Sequence, residues 1–121
     1  MRRIDLPIDE HLPALTELIA NENLVLMAAS PGSGKTTRLP PALLRRLPGK
    51  ILVLEPRRIA AVTASHRIAQ EEGVTVGDLV GYQIRFEDKS SKATRLLFLT
   101  EALLQRKLQD DPALEGVGAV L

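Results

Sequence analysis

The chain has 121 residues, of which 45% are hydrophobic and 26% charged, proportions that are ordinary for a globular protein. Lys plus Arg number 16 and Asp plus Glu number 15, so the net charge of +1 gives no argument for nucleic-acid binding beyond local placement of charge. The sequence has no cysteine, which excludes disulfides and thiolate metal sites and fits a cytoplasmic protein, and no apolar run approaches the ~18 residues of a membrane span.

The first predicted element is a helix over residues 9–20. Apolar side chains recur there at helical spacing, and Asp9 is expected to cap the helix. Pro13 falls in the first turn, where backbone N–H groups have no intrahelical partner and proline costs little. The continuous apolar run over residues 24–29 predicts a strand that is buried on both faces, as in a parallel sheet.

A glycine-rich turn follows that strand, and a second helix is predicted from about Gly34. The pair Pro40-Pro41 is expected to kink or split this helix, because proline lacks a backbone N–H and clashes with the preceding turn. Pro48-Gly49 predicts a turn.

The second half of the chain alternates short apolar runs with helical patterns. Strands are predicted at 51–54, 79–86 (at the sheet margin), 95–99 and 118–121, and helices at 57–72 (ended by Gly73), 101–109 and from Asp111-Pro112 onward. In the helix over 57–72, the predicted apolar face consists of Ile59, Ala60, Val62, Ala64, Ile68 and Ala69. Strands alternating with helices predict an α/β fold with a mainly parallel sheet, in which ligands bind beyond the carboxyl ends of the strands.

The segment from Ala29 to Thr36 matches the phosphate-loop pattern, with Ala29 where the strict pattern has glycine. Glycines let several backbone N–H groups surround a phosphate, the Lys35 ammonium suits the β- and γ-phosphates, and the Thr36 hydroxyl is a hard oxygen ligand for Mg²⁺. Lys35 and Thr36 are therefore the candidate catalytic residues. The candidate ATP-binding residues are Ser30, Pro31, Gly32, Ser33, Gly34, Lys35, Thr36 and Thr37.

The alternative is a solvated glycine-lysine turn. It is disfavoured because the loop follows a predicted buried strand and opens a predicted helix.

Arg57 and Arg58 directly follow the strand over 51–54, so they are expected at the carboxyl edge of the sheet, where they could contact phosphate. Two solvated arginines are the alternative, although that placement opposes the helix dipole. Thr100 follows another predicted strand and is a candidate for contact with nucleic acid. The alternative is that Thr100 only caps the helix that follows it.

Four segments of the sequence follow one another in a distinctive order, namely Ser33–Thr37, Glu55–Ala61, Val80–Phe86 and Leu99–Leu104. This is the order seen in DEAH-box helicases of superfamily two, and the chain resembles that family over nearly its whole length. The likeness is strongest to the bacterial HrpB-type branch and includes the opening Leu6-Pro7-Ile8.

This resemblance implies two RecA-like α/β domains with ATP bound between them. Residues 1–121 would form an incomplete first domain, with an amino-terminal helix region at 1–23 and a phosphate-loop α/β core at 24–121. Gly32 to Thr37 would bind ATP and Mg²⁺, and Arg57, Arg58 and Thr100 would face a single strand of RNA or DNA, with RNA favoured. Ala102 stands where the family has glycine.

The resemblance also implies residues that this sequence does not contain. An acidic segment that binds Mg²⁺ is expected directly after Leu121, and arginines are expected from a second RecA-like domain. We therefore expect the chain to be a fragment that does not hydrolyse ATP alone. Two other classes stay open from the residues themselves: a small phosphate-loop kinase or other nucleotidase, and a non-catalytic nucleotide-binding module.

Overall fold

The computed structural model describes residues 10, 12–21, 35–114 and 116–121. The expected cap at Asp9, the strand over 24–29 and the glycine-rich turn lie outside these residues. The helices and strands are α1 Leu12–Asn21, α2 Lys35–Arg46, β1 Lys50–Leu54, α3 Arg58–Glu72, β2 Val80–Ile84, β3 Glu87–Lys89, β4 Leu96–Leu99, α4 Glu101–Asp110 and β5 Val117–Val120. Within these ranges, no helix is both long and apolar enough to cross a membrane.

The five strands form one sheet in the order β3-β2-β4-β1-β5. β1 pairs in parallel with β4 and β5, β2 pairs in parallel with β4, and β3 pairs with β2 in the antiparallel direction. Leu99 at the end of β4 lies in register with Leu54 of β1 and Gln83 of β2. The predicted α/β architecture with a mainly parallel sheet is confirmed, and three neighbouring strands end at the same edge.

Both faces of the sheet carry apolar side chains, which explains why its central strands read as continuous apolar runs. One face packs against α1, α2 and α3 around fully buried Ile51, Leu96 and Phe98. The other face places Leu52 and Leu97 against α4. Gly73 ends α3 in the left-handed conformation (φ 71°), as its position in the sequence predicted.

The expected split of α2 at Pro40-Pro41 is wrong, because one helix runs from Lys35 to Arg46 through both prolines. The two missing N–H groups leave the carbonyls of residues 36 and 37 without their usual intrahelical donors. Pro40 is fully buried, and Leu39 and Leu43 on the same helix belong to the core. Burial of this apolar face offsets the lost hydrogen bonds.

The strand predicted over 79–86 ends earlier and does not form the sheet margin. Phe86 adopts a left-handed conformation (φ 69°) in a tight turn. The strand after it, β3, was not predicted; it folds back on β2 and is the outermost strand on this side of the sheet. β3 passes so close to β2 that a Cβ atom at Gly81 would lie 2.3 Å from the carbonyl oxygen of Lys89. Only glycine fits at this position of the hairpin.

The helix expected from Asp111-Pro112 is also wrong. Asp111 is instead the C-cap of α4, and its N–H donates to the carbonyl oxygen of Lys107 at 2.8 Å. Leu114 (φ 48°) and Gly116 (φ 75°) then turn the chain into β5. The left-handed residues leave no room for a helix between α4 and β5.

Ion pairs join α2 to α3. Arg38 of α2 is 3% exposed, and its Nη1 donates to Oε2 of Glu71 in α3. The other carboxylate oxygen of Glu71 accepts from Nε of Arg67 at 3.2 Å. Arg45 and Glu72 form a second bridge between these helices at 2.9 Å, but Arg45 is mostly exposed. Removing one partner of a buried pair costs far more than breaking an exposed one.

We expect Glu71→Gln to lower the free energy of unfolding by about 2–4 kcal/mol, because a negative charge beside the buried Arg38 guanidinium is lost. The matched control is Glu72→Gln, which breaks the exposed bridge and should cost less than about 1 kcal/mol. Urea unfolding of the two variants measures the difference. Equal losses of unfolding free energy would show that the buried Arg38–Glu71 pair stabilises the fold no more than the exposed Arg45–Glu72 pair does.

Candidate nucleotide and nucleic-acid site

The carboxyl ends of β1 and β4 lie side by side. The N–H of Glu55, one residue past β1, donates to the carbonyl oxygen of Leu99 at 2.9 Å. Arg57 follows β1 by three residues, and Thr100 follows β4 by one. The residues that the sequence singled out for nucleic-acid contact therefore follow neighbouring parallel strands at one edge of the sheet.

Arg57 and Arg58 stand at the start of α3, and no acidic residue in the first turn of that helix balances their positive charges. Arg57 is the N-cap residue in an extended conformation, makes no capping hydrogen bond with its side chain, and is exposed, as is Arg58. Two positive side chains at the positive end of a helix dipole are unfavourable alone and favour an anionic partner.

Thr100 is the N-cap residue of α4, so its backbone role matches the alternative interpretation as a cap. Its side chain, however, makes no capping hydrogen bond. The hydroxyl is thus not used where a threonine cap ordinarily uses it. Glu101 supplies the acidic residue in the first turn of α4 that α3 lacks.

The predicted ATP-binding residues Ser30 to Gly34 lie outside the described part of the chain. The described part of α2 runs from Lys35, so Lys35 and the residues after it are helical, as the phosphate-loop interpretation requires. The first N–H groups of a helix have no intrahelical acceptor and attract anions. Glycine-loop amides, a lysine and the Thr36 hydroxyl are a donor set that suits a Mg²⁺-bound phosphate. Among the residues that the structure describes, no three acidic or histidine side chains cluster as a metal site.

An open groove of about 670 Å³ lies beside Arg57. The start of α3 forms one wall and the β2–β3 hairpin forms the other; the lining residues are Arg57, Arg58, Ile59, Val62, Thr63, Ile84 and Glu87. We call this the α3–hairpin groove. The expected placement of Ile59 on the core face of α3 is wrong, since 81% of Ile59 is exposed. The predicted placement of Ala64, Ile68 and Ala69 on the buried face of α3 is confirmed, and Ala61 and Ser65 complete that face.

A buried tyrosine holds the carboxylate of the groove. Tyr82 is 4% exposed, and its hydroxyl donates to Oε1 of Glu87, while the ring of His66 lies 6.2 Å away. This hydrogen bond, burial and the negative charge of Glu87 raise the pKa of Tyr82 to about 12. The phenol therefore stays neutral, and remains a donor, at physiological pH.

The hairpin turn carries an exposed aromatic ring. Phe86 is 92% exposed, and the guanidinium of Arg85 lies 4.9 Å from the centre of its ring. Sequence reasoning gave no role to the segment from Val80 to Phe86 and did not include Ile84 or Glu87 in the site. The alternation of Tyr82 and Ile84 on one face of a strand is the signal that could have grouped them.

Comparisons with known proteins agree with this geometry. ATP-dependent RNA helicase DHX30 of Gallus gallus is 40% identical over 124 aligned positions, which span 96% of this chain and 10% of that protein. ATP-dependent RNA helicase DHX33 of Drosophila melanogaster is 47% identical over 96 positions, spanning 77% of this chain and 14% of that protein. The DEAH/RHA helicase HrpB of Escherichia coli matches in structure with a TM-score of 0.90 and 42% identity over 96% of this chain and 15% of its own. No protein-family model matches.

Over nearly its whole length, the chain is similar to one segment of DEAH-box helicases. Its predicted RecA-like α/β fold and its likeness to the HrpB-type branch are confirmed. The chain spans only 10 to 14% of the length of the curated DEAH-box relatives named above.

Tyr82 is the one tyrosine of this chain, which also has no tryptophan, so its ionisation can be followed by ultraviolet absorbance. We expect a midpoint near pH 12 and, in Glu87→Ala, a midpoint closer to 10, because the hydrogen bond and the negative charge are lost. The raised pKa stabilises the fold below pH 10, and this stabilisation is lost as pH rises through the folded pKa.

Circular dichroism over the same pH range checks that the protein is still folded where Tyr82 titrates. Identical midpoints for the folded wild type and the folded variant would contradict the Tyr82–Glu87 contact.

Proposed function

We propose that the chain supplies the ATP-binding part of the first RecA-like domain in an ATP-dependent RNA helicase. The observation that carries this proposal is the meeting of Arg57, Thr100 and the α3–hairpin groove at one sheet edge. The names of the relatives, ATP-dependent RNA helicases, support RNA as the strand. In this proposal, residues 1–23 form an amino-terminal helix region and residues 24–121 the phosphate-loop core, in a cytoplasmic protein.

The ATP phosphates bind at the start of α2 in this proposal. Backbone N–H groups of Ser30, Gly32, Ser33 and Gly34 would surround the phosphates, Lys35 would place its ammonium at the β- and γ-phosphates, and the Thr36 hydroxyl would be a ligand of Mg²⁺. Thr37 completes the binding segment. Bound Mg²⁺ would neutralise part of the negative charge that develops on the phosphates.

The strand binds at the carboxyl edge through Arg57, Arg58 and Thr100. Guanidinium and hydroxyl groups suit phosphate and sugar oxygens, which are the same in every nucleotide. Such contacts position a strand without reading its bases, and a motor that moves along any sequence needs contacts of that kind. The second RecA-like domain of the whole protein would cover ATP from the other side.

Lys35→Ala in the full-length protein is expected to remove most ATP turnover, because the positive charge at the reacting phosphates is lost. Phosphate release with ATP, Mg²⁺ and single-stranded RNA measures turnover. Lys50→Ala serves as the control, since Lys50 is exposed at the start of β1. Normal turnover in a folded Lys35→Ala protein would sink the phosphate-loop assignment.

Arg57→Ala in the full-length protein is expected to weaken binding of single strands to a similar extent for all sequences. The slope of log affinity against log salt should fall by ~1, because one phosphate contact is lost. Lys92→Ala is the control: it removes one exposed charge from the turn before β4, at the opposite edge of the sheet. A loss confined to ATP binding, or an effect equal to that of the control, would count against the assignment.

A further inference from the structure

The α3–hairpin groove contains a carboxylate that binding of phosphate does not explain. Glu87 lines the groove together with Arg57 and Arg58. Within the described part of the chain, Glu87 forms no ion pair with either arginine, although all three line one groove. A negative side chain repels the phosphates of a bound strand, and a donor group on the ligand would offset that repulsion.

Tyr82 keeps this carboxylate where it is. The buried phenol donates to Oε1 of Glu87, and it is protonated at neutral pH. A carboxylate has about four acceptor positions, so one hydrogen bond from Tyr82 leaves it able to accept others. Glu87 itself is exposed to the groove and to solvent. The chain thus holds an acceptor in a fixed position beside its candidate phosphate contacts.

We propose that Glu87 accepts a hydrogen bond from a ribose 2′-hydroxyl, so that the α3–hairpin groove selects RNA over DNA. This inference rests on the proposed function. A nucleic-acid strand offers two classes of donor, the amino and imino groups of bases and the 2′-hydroxyl of ribose. Base donors change with sequence, whereas every ribonucleotide carries the 2′-hydroxyl.

The remaining lining of the groove suits a sugar. Ile59, Val62 and Ile84 add apolar surface to the groove that the arginines and Glu87 line, and a volume of about 670 Å³ can accommodate a nucleotide. Arginine on one side can hold a phosphate while the carboxylate accepts from the ribose attached to it. Tyr82 acts as a positioning residue, because without its hydroxyl Glu87 could turn to pair with Arg57 or Arg58.

The test compares strands of one sequence on the full-length protein by fluorescence anisotropy. The strands are RNA, DNA and 2′-fluoro RNA, which keeps the sugar pucker of RNA but has no 2′-hydroxyl donor. Wild type should bind RNA about tenfold more tightly than 2′-fluoro RNA, as expected for one hydrogen bond to a charged acceptor. In Glu87→Ala, this ratio should fall towards one.

A purely structural role for Glu87 is excluded by a second readout. Glu87→Ala should bind 2′-fluoro RNA at least as tightly as wild type does, because removal of a negative charge relieves repulsion from phosphate. A misfolded groove would instead weaken binding of all three strands. Tyr82→Phe should also lower the preference for RNA over 2′-fluoro RNA, and an unchanged ratio would overturn the positioning role.

Arg57→Ala separates this inference from the proposed function. It should weaken binding of all three strands while the ratio between RNA and 2′-fluoro RNA stays as in wild type. Equal wild-type affinity for RNA and 2′-fluoro RNA would overturn the 2′-hydroxyl contact but leave the proposed function standing. A preference that depends on base sequence and not on the 2′-group would assign Glu87 to a base and overturn the inference. A wild type that binds none of the strands would overturn the proposed function itself.

Discussion

Three buried strands, β1, β4 and β2, run parallel and in register, and the site depends on that pairing. Leu99 lies opposite Leu54 on one side and Gln83 on the other, so the chain leaves all three strands at the same level. A polar or charged residue placed a few positions after any of them reaches the same edge. The three strand ends therefore bring Arg57, Thr100 and Glu87 to one region, although these residues are far apart in the sequence.

The two faces of the sheet contribute differently to this edge. On one face, α2 and α3 pack together through the core and through the buried Arg38–Glu71 pair. These helices begin at Lys35 and Arg58, the first in the candidate nucleotide segment and the second beside the groove. On the other face, α4 begins directly after Thr100 and packs through leucines, with no fully buried residue of its own. The face of the sheet with the larger buried core therefore carries the two helices whose first residues, Lys35 and Arg58, are basic.

Much of this arrangement could be predicted from the sequence because apolar runs, glycines and caps act locally. The strands at 51–54 and 95–99, the stop at Gly73 and the edge position of Arg57 follow from such signals. Features decided by packing could not be predicted in the same way. Pro40 and Pro41 stay in a helix because that helix buries its apolar side chains in the core, and Ile59 points away because α3 packs through small residues.

The hairpin shows the same limit for the candidate site. Phe86 adopts a left-handed conformation in the turn that reverses the chain into β3, and this turn brings Glu87 within hydrogen-bond distance of Tyr82. Phenylalanine rarely adopts that conformation, so the residue types at the turn did not predict it. The phosphate-loop pattern was readable from residue types alone, but Ser30 to Gly34 lie outside the described residues, so their roles stay predictions.

The strand order also has a consequence for how the chain acquires its structure. β1 sits between β4 and β5, so neither of its partners exists until synthesis has passed α3 and β2 and reached β4. Parallel pairing of such distant segments is slow, because a long loop must close before any hydrogen bond forms. Until then, the apolar stretch from Ile51 to Leu54 has no neighbouring strand and is exposed to other chains. Slower synthesis between β1 and β4 would prolong that exposed period.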